Sequence, residues 1–368
     1  MNILINRTDA IGVTILTLPM ARAIKKHLPD AKIVFLVSPK SQDLFAGTAE
    51  VDEVVVLEKK GGSIGQFFQL RKALARPWQA YFYIGGSHIP SFWAYFRRIK
   101  IRGGIKSRWP SFLFLNKSLR QRRSLVEMHE LEYNLASLAA LGIRLGHVEM
   151  KEYFPQLKVS DEEKKNSWKI FLQDLQKEGQ EPREKLIWIH PGMTGHTLNW
   201  PVTNYARLII RLEELYAEKI LFVVSYTPSD EGQLVELRKE MGKNEYAGFK
   251  KNVYFMNGAT HGLRHTMALI ARANVLIGPS TGPTHIAAAL GTPVVALYSP
   301  IRAQSSARWG PRGPSPDKIK VVVPDVICGE VIKCALDSCP YYKCMEQIDV
   351  DDVVAPITEF LKLPGSGV

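Results

Sequence analysis

The chain has 368 residues, of which 46% are hydrophobic and 23% charged, and its formal net charge is +12. The composition is typical of a soluble globular protein, and the length fits about two domains. No apolar run approaches the roughly 20 residues that cross a bilayer, which excludes a protein built from transmembrane helices. Arg7 and Asp9 interrupt the N-terminal apolar run early, so the segment does not resemble a signal peptide and we expect a cytoplasmic protein.

The first half of the chain alternates predicted strands with predicted helices. The strands, which are short and apolar, are predicted at 2–6, 32–38, 51–57 and 80–85. The helices are predicted at about 14–27, at 64–75 and at 125–141, the last from a strongly amphipathic pattern. Such an alternation predicts a parallel sheet.

A second alternating series follows a polar stretch. Residues 160–179 predict a helix that begins with a capping box formed by Ser160 and Glu163. Beyond the linker QEPREK, strands are predicted at 186–192, 220–225, 253–258 and 274–278, with a helix at 201–216. We therefore predict an N-terminal Rossmann-like domain at 1–175, a C-terminal one at 176–348, and a C-terminal helix within 349–368 that packs back on the N-terminal domain. Ligands bind beyond the carboxyl ends of such strands, and we expect the two sheets to face an interdomain cleft.

One stretch, GPSTGPTHIAAALGTPVVALYSP (278–300), concentrates hydroxyls, a glycine and a histidine between a predicted strand and a predicted helix, and a second strand is predicted after that helix at 293–300. A helix N-terminus has unpaired N–H groups and a partial positive charge, and it binds phosphate well. Gly282 would let a ligand approach the backbone, and Ser280, Thr281 and Thr284 could donate hydroxyls. The stretch is therefore either a phosphate site or a run of ordinary helix N-caps.

A basic segment runs from Arg97 to Arg123 without any Asp or Glu, and aromatic residues are interleaved with its cations. Such a face suits nucleic acid, an anionic membrane or a phosphorylated substrate, while a solvated basic surface is the simpler alternative. No nucleic-acid-binding motif accompanies the segment, so we do not expect nucleic acid as a partner.

Four cysteines lie near the C-terminal end, at Cys328, Cys334, Cys339 and Cys344. Their spacing lacks the C-x2-C pairs of standard zinc sites, and disulfides are rare in the cytosol. We expect reduced structural cysteines, with a metal or cluster site as the alternative.

Four segments in this order resemble glycosyltransferase family 9, the bacterial heptosyltransferases of lipopolysaccharide synthesis. They are RTDAIGVTILTLPMARAIK, IHPGMTGHTLNWP, GPSTGPTHIAAALGTPVVALYSP and CPYYKCMEQIDVDDV. The resemblance covers nearly the whole chain and implies the α/β GT-B fold, in which two Rossmann-like domains with parallel sheets face a cleft. It also implies that the N-terminal domain receives a lipid A–core acceptor and that the C-terminal domain holds an ADP-heptose donor.

The same resemblance implies a set of donor-binding residues in the C-terminal domain. The diphosphate would lie against the Thr281–Gly282 turn, with His285 either contacting phosphate or packing under the loop. Glu231 would meet the nucleotide ribose, unless it is only an exposed helix acid. The implied donor-binding residues are Thr194, Glu231, Ser280, Thr281, Gly282, Thr284 and His285.

At the implied catalytic position this chain departs from the family. The general base would directly follow Gly12, but that residue is Val13, which cannot accept a proton. Asp9 in the same loop is the nearest substitute, and its simpler role is to cap the loop. Two further departures are Leu198, where members often carry Lys or Arg, and Ser280, where many carry Asp. The implied acceptor-binding residues are Gly12, Arg98, Arg102, Lys106, Arg120, Arg122 and Arg123.

The resemblance, together with the carboxylate of the first loop and the predicted phosphate loop, predicts a glycosyltransferase. A carboxylate would activate the acceptor hydroxyl, and the phosphate loop would stabilise the leaving ADP. No DxD motif stands near these loops, so we expect inverting transfer with no metal and no cofactor besides the ADP-sugar co-substrate. The expected partners are that donor, an anionic lipid A–core acceptor, and the inner face of the cytoplasmic membrane as a peripheral contact.

Two hypotheses from other classes compete with this prediction. Because Val13 occupies the usual base position, one hypothesis is that the chain is a non-catalytic homologue that binds a sugar nucleotide or glycolipid without turnover. A nicotinamide-dependent oxidoreductase is disfavoured because the first loop holds one glycine, Gly12, in place of G-x-G-x-x-G.

Overall fold

A computed structural model describes residues 1–107, 109–192, 198–216, 218–243, 252–328 and 334–362. The chain divides into two compact units, Met1–Lys158 and Val159–Val368. Each unit contains a six-stranded sheet whose paired strands are parallel. The predicted α/β class with two Rossmann-like domains is confirmed.

The sheet of the first unit has the order β3-β2-β1-β4-β5-β6. Its strands are β1 Asn2–Arg7, β2 Lys32–Val37, β3 Glu53–Val56, β4 Ala80–Gly85, β5 Ile101–Ile105 and β6 Lys117–Leu119. Its helices are α1 Ile11–Ile15, α2 Pro19–His27, α3 Gly62–Ala73, α4 Ile89–Phe96, α5 Glu130–Ala136 and α6 His147–Met150. In the register, Ile3 of β1 pairs with Ile33 and with Ala80. The central strands β1, β2 and β4 are almost wholly buried, as expected for parallel strands covered on both faces.

The sheet of the second unit has the order β12-β11-β10-β7-β8-β9. Its strands are β7 Lys185–Ile189, β8 Ile220–Tyr226, β9 Val253–Asn257, β10 Val275–Pro279, β11 Val294–Leu297 and β12 Ile319–Val322. Its helices are α7 Asp161–Lys177, α8 Val202–Tyr216, α9 Glu231–Met241, α10 Gly262–Ile270, α11 Gly282–Leu290, α12 Ser306–Trp309 and α13 Val350–Leu361. The carboxyl ends of β10, β7 and β8 are therefore neighbours, and they position the loops described below.

The division between the units lies upstream of the predicted boundary at 175/176, because α7 belongs to the second unit. The predicted capping box is present, since Glu163 N–H donates to the Ser160 hydroxyl and Ser160 N–H donates to the Glu163 carboxylate. That carboxylate also accepts two hydrogen bonds from Arg264 of α10, at 2.7 and 2.8 Å. Asp174 accepts from His261 at 2.9 Å. These side chains fix α7 against α10.

The C-terminal helix α13 packs in the second unit, and this corrects the expectation that it packs on the N-terminal domain. Val353, Val354, Ile357 and Leu361 are buried in one cluster with residues of α8 and of the second sheet. The Trp200 indole N–H donates to the Ile348 carbonyl at 2.9 Å, just before this helix.

Two predicted helices are shorter than their patterns suggested. The segment predicted as 14–27 forms α1 and α2 with a turn between them, because Pro19 has no N–H to donate. Within 125–141 only α5 is α-helical, and 3-10 turns occupy Arg123–Leu125 and Ser137–Leu141. His129 caps α5 by accepting from Leu131 N–H.

Two further findings concern the membrane and the cysteines. Among the described residues, none of the helices combines the length and the apolar character needed to cross a bilayer. The four cysteines are free thiols, and burial raises the pKa of Cys328 and Cys344. Across all the residues that the structure describes, no group of three or more His, Cys, Asp or Glu side chains is placed to hold a metal ion.

Candidate functional site

The stretch 278–300 has the predicted strand–turn–helix–strand form. β10 ends at Pro279, α11 begins at Gly282, and β11 follows as its parallel neighbour. Thr281 is the extended N-cap residue of α11, and Gly291 ends the helix in the left-handed region with φ 79°. Ser280, Thr281 and Gly282 are partly exposed at the start of this nine-residue helix. Its N-terminal N–H groups therefore point out of a sheet edge where ligands bind in such folds.

The hydroxyls of this turn have different roles. Thr284 is buried and donates to the Pro279 carbonyl at 2.6 Å, so it fastens the turn and is not the ligand donor that the sequence predicts. Ser280 donates to the hydroxyl oxygen of Tyr298, which itself donates to the Trp309 carbonyl at 2.7 Å. Thr281 lies partly exposed, 3.4 Å from the Pro279 carbonyl. Of the three hydroxyls, that of Thr281 is the most available to a ligand.

His285 lies in the first turn of α11 and is buried, with 5% of its surface exposed. Burial lowers its pKa to about 4, so the imidazole is neutral at pH 7. Its Nδ1 atom is buried without a hydrogen-bond partner among the described residues. Buried polar atoms are normally paired, so an unpartnered nitrogen in the first turn of this helix is unusual. The packed position is the second of the two alternatives that the sequence left open.

The ends of β7 and β8 bring further polar groups to the same sheet edge. His190 is buried, and its Nδ1–H donates to the Ser225 carbonyl at 3.1 Å. Burial lowers the pKa of His190, against the opposing effect of the Asp230 carboxylate. A Cβ at Gly278 would meet the His190 carbonyl oxygen at 3.1 Å, so β7 and the turn are in close contact. His190 was not among the predicted site residues, although its position at a strand end was a usable signal.

Glu231 is exposed as the first residue of α9, whereas its neighbour Asp230 is buried. Asp230 accepts from Thr227 N–H at 2.8 Å and from the Thr227 hydroxyl at 2.6 Å, and thus holds the loop after β8. A Cβ at Gly192 would lie 2.7 Å from the Asp230 carboxylate oxygen Oδ1. Glycine there allows the loop after β7 to approach the loop after β8. Thr194, predicted in that first loop, lies outside the described residues.

The first loop of the chain is built on a buried arginine. Arg7 Nε lies 2.9 Å from Asp9 Oδ1, and the Arg7 guanidinium donates to the Ile84 carbonyl. The Asp9 side chain is 31% exposed while that of Arg7 is 4% exposed. A Cβ at Gly85 would lie 2.9 Å from Asp9 Oδ2, so glycine leaves room for the carboxylate. Asp9 is thus held in place by Arg7 and still open to solvent.

Gly12 and Val13, at the usual base position, have no side-chain group that accepts a proton. Gly12 is buried and Val13 half-buried, both within α1. The Val13 carbonyl accepts from the Thr17 hydroxyl at 2.8 Å, so its backbone oxygen is occupied.

The basic segment separates into buried and exposed cations. Arg123 was predicted to bind the acceptor, but it is 9% exposed and its guanidinium pairs with buried Glu130, which corrects that prediction. Glu130 also lies 3.7 Å from Arg7, so the two arginines share one carboxylate. Arg102 is partly buried and donates to the Phe114 and Ile99 carbonyls at 2.6 Å, which ties down its loop. The predicted cations that are exposed are Arg98, Lys106, Arg120 and Arg122.

Comparisons with known proteins agree on one family. The model of glycosyltransferase family 9 (heptosyltransferase) matches residues 70–323. A putative glycosyltransferase of Haemophilus influenzae is 25% identical over 310 residues, which span 84% of this chain and 85% of that protein. Lipooligosaccharide heptosyltransferase 2 of Haemophilus ducreyi is 24% identical over 368 residues, which span 98% of this chain and 99% of that protein.

Solved structures show the same fold. The structure of E. coli ADP-heptose lps heptosyltransferase II has a TM-score of 0.75 and 22% identity, and the match covers 98% of this chain and 99% of that one. The glycosyl transferase family 9 structure from Veillonella parvula DSM 2008 has a TM-score of 0.74 and 19% identity, with 98% and 97% covered. The predicted GT-B fold is confirmed.

Proposed function

Because the chain belongs to glycosyltransferase family 9, we propose that it transfers a heptose or a related sugar from an ADP-sugar to a lipopolysaccharide core or a related glycolipid. The transfer inverts the anomeric centre and needs neither a metal nor a further cofactor. The observation that carries the proposal is the turn between β10 and α11, where the N-terminus of α11 is partly exposed and the first helical turn contains the buried, neutral His285 with an unpartnered Nδ1.

The donor diphosphate binds at this turn. Partial positive charge at a helix N-terminus and its free N–H groups suit a phosphate anion and stabilise the charge that develops on the leaving ADP. Thr281 adds a hydroxyl, and Gly282 lets the phosphate reach the backbone. Glu231, exposed at the start of α9, binds the ribose, and Thr194 contributes from the loop after β7.

The acceptor hydroxyl is activated in the first unit, with Asp9 as the general base. Its carboxylate lies 2.9 Å from the Arg7 guanidinium, which orients it, and its side chain is 31% exposed. Val13 has no group that can take a proton, so the base position of the family is replaced within the same loop. The exposed cations Arg98, Lys106, Arg120 and Arg122 receive the anionic acceptor, which places the protein at the inner face of the cytoplasmic membrane.

A second candidate function follows from Val13. A homologue without a base would bind the ADP-sugar at the same turn but would transfer slowly or not at all. The partly exposed carboxylate of Asp9, held by Arg7, favours the active enzyme over this alternative.

Acceptor-dependent release of ADP from ADP-heptose, with a truncated lipopolysaccharide core as acceptor, tests the proposal. We expect ADP to be released only when the core is present and at the same rate after EDTA treatment. Tight ADP binding without acceptor-dependent release would favour the non-catalytic alternative, and loss of the rate in EDTA would refute a metal-free mechanism.

A further inference from the structure

The first unit exposes an aromatic ridge, which we define as Ile64, Phe68, Phe92, Tyr95 and Phe96. Their exposed fractions range from 41% for Phe92 to 74% for Ile64. Ile64 and Phe68 lie one turn apart on α3, and Phe92 and Phe96 lie one turn apart on α4. Each helix therefore turns large apolar side chains toward solvent on one face, where a surface helix normally carries polar residues.

The two halves of the ridge are continuous. The half-buried ring of Phe67 lies between them, with its centroid 6.3 Å from Phe68, 6.0 Å from Phe92 and 6.3 Å from Phe96. Phe114 extends the contact, 5.3 Å from the Phe92 ring. A contiguous exposed apolar patch of this kind marks an interaction surface, whereas single exposed residues do not.

The sequence segment that contains the ridge carries only positive charges. Residues 59–126 contain no Asp or Glu and fifteen cations, more than the net charge of +12 of the whole chain. The cations are Lys59, Lys60, Arg71, Lys72, Arg76, Arg97, Arg98, Lys100, Arg102, Lys106, Arg108, Lys117, Arg120, Arg122 and Arg123. Arg71 and Lys72 are exposed one turn beyond Phe68, and Arg97, Arg98 and Lys100 are exposed directly after α4. An anionic surface is therefore the complementary partner.

We propose that the aromatic ridge inserts into the interfacial layer of an anionic lipid bilayer while the flanking cations contact the headgroups. Aromatic rings partition to this layer, and adjacent Lys and Arg add attraction to anionic lipids. A second copy of the chain is a poor occupant, because two copies would oppose their positive surfaces. The inference rests on the proposed function, which it deepens by naming the surface that brings the enzyme to a membrane-held acceptor.

Sedimentation with vesicles tests this insertion in the full-length chain. Vesicles of phosphatidylcholine alone are compared with vesicles that also contain phosphatidylglycerol, and neither contains the acceptor. We expect binding to the anionic vesicles, weakened by salt, and a loss of at least about tenfold in the doubly substituted Phe68→Ser, Phe96→Ser chain. The matched control is Val148→Ser with Val235→Ser, at positions that are 79% and 61% exposed outside the ridge. It should bind like the parent.

A second measurement does not depend on the stability of the serine variants. In Phe68→Trp the new indole should be quenched by brominated lipid, and in Val148→Trp it should not. Equal vesicle binding by parent and ridge variant, or no quenching at residue 68, would overturn the proposal, as would binding of single-stranded RNA in place of vesicles. Transfer to a water-soluble truncated core should persist in the ridge variant. If the ridge variant loses vesicle binding but keeps transfer, the lost function is that of the ridge. If the parent chain binds vesicles normally but transfers no sugar, the proposed function is wrong and the ridge proposal stands.

Discussion

Glu130→Gln tests the ion-pair network beneath the first loop. The carboxylate of Glu130 is 2% exposed and lies between Arg7, 3.7 Å away, and Arg123, with which it pairs directly. Glutamine keeps the shape but removes the charge, so the buried Arg123 guanidinium loses its direct counter-charge, while Arg7 retains Asp9 at 2.9 Å. Breaking a buried pair in this way costs about 3–5 kcal/mol. For a unit of this size, each kcal/mol shifts the unfolding midpoint by roughly 2–4 °C, so we expect the midpoint to fall by about 6–20 °C.

Differential scanning calorimetry measures this shift. The matched control is Glu127→Gln, the same substitution at an exposed position three residues earlier, which should change stability by no more than about 0.5 kcal/mol. A Glu130→Gln midpoint equal to that of Glu127→Gln would show that the buried ion pairs of Glu130 do not stabilise the first unit.

Three further predictions address the site. Gly282→Val places a branched side chain at the first residue of α11, and we expect calorimetry to show ADP affinity reduced by about 30- to 100-fold with the unfolding midpoint retained; unchanged affinity would remove the diphosphate from this turn. Val13→Asp should raise the transfer rate by about tenfold or more with little change in ADP affinity, and Asp9→Asn should lower the parent's rate by about 10²- to 10⁴-fold. If neither variant changes the rate, the base does not come from the first loop. Because burial lowers the pKa of His285 to about 4, the unfolded chain takes up a proton that the folded chain does not as pH falls from about 6.5 to 4, and stability should fall by about 3 kcal/mol over that window. The denaturant unfolding midpoint should fall between about pH 6.5 and 4 in the parent chain and should change less over that range in His285→Gln. An identical pH dependence of the midpoint in the parent and the variant would contradict the buried neutral state of His285.

Local patterns predicted the buried parallel strands well because such strands read as continuous apolar runs. The run at 80–85 coincides with β4, and the turn before α11 followed from a strand, a hydroxyl-rich loop and an alanine-rich helix. β5 and β6 were missed, since they are short and lie among cations and glycines. β5 pairs with β4, and β6 pairs with β5. Such pairing between distant segments cannot be predicted from the local sequence pattern.

The site was predictable as a set of loops and less so as individual side chains. Arg123 read as one more surface cation because the sequence does not show that Glu130 packs against it. Thr284 read as a free hydroxyl donor, although its side chain closes the turn onto Pro279. Whether a polar group faces the ligand or supports the loop depends on distances across the fold, and periodicity carries no information about them.

The most direct test of the central claim is mass spectrometry of a truncated lipopolysaccharide core after incubation with ADP-heptose and this protein. We predict that the parent chain adds one heptose to the core and that Gly282→Val adds none under the same conditions. A core that stays unmodified while the parent chain binds ADP would contradict the assignment of this chain as a heptose-transferring enzyme.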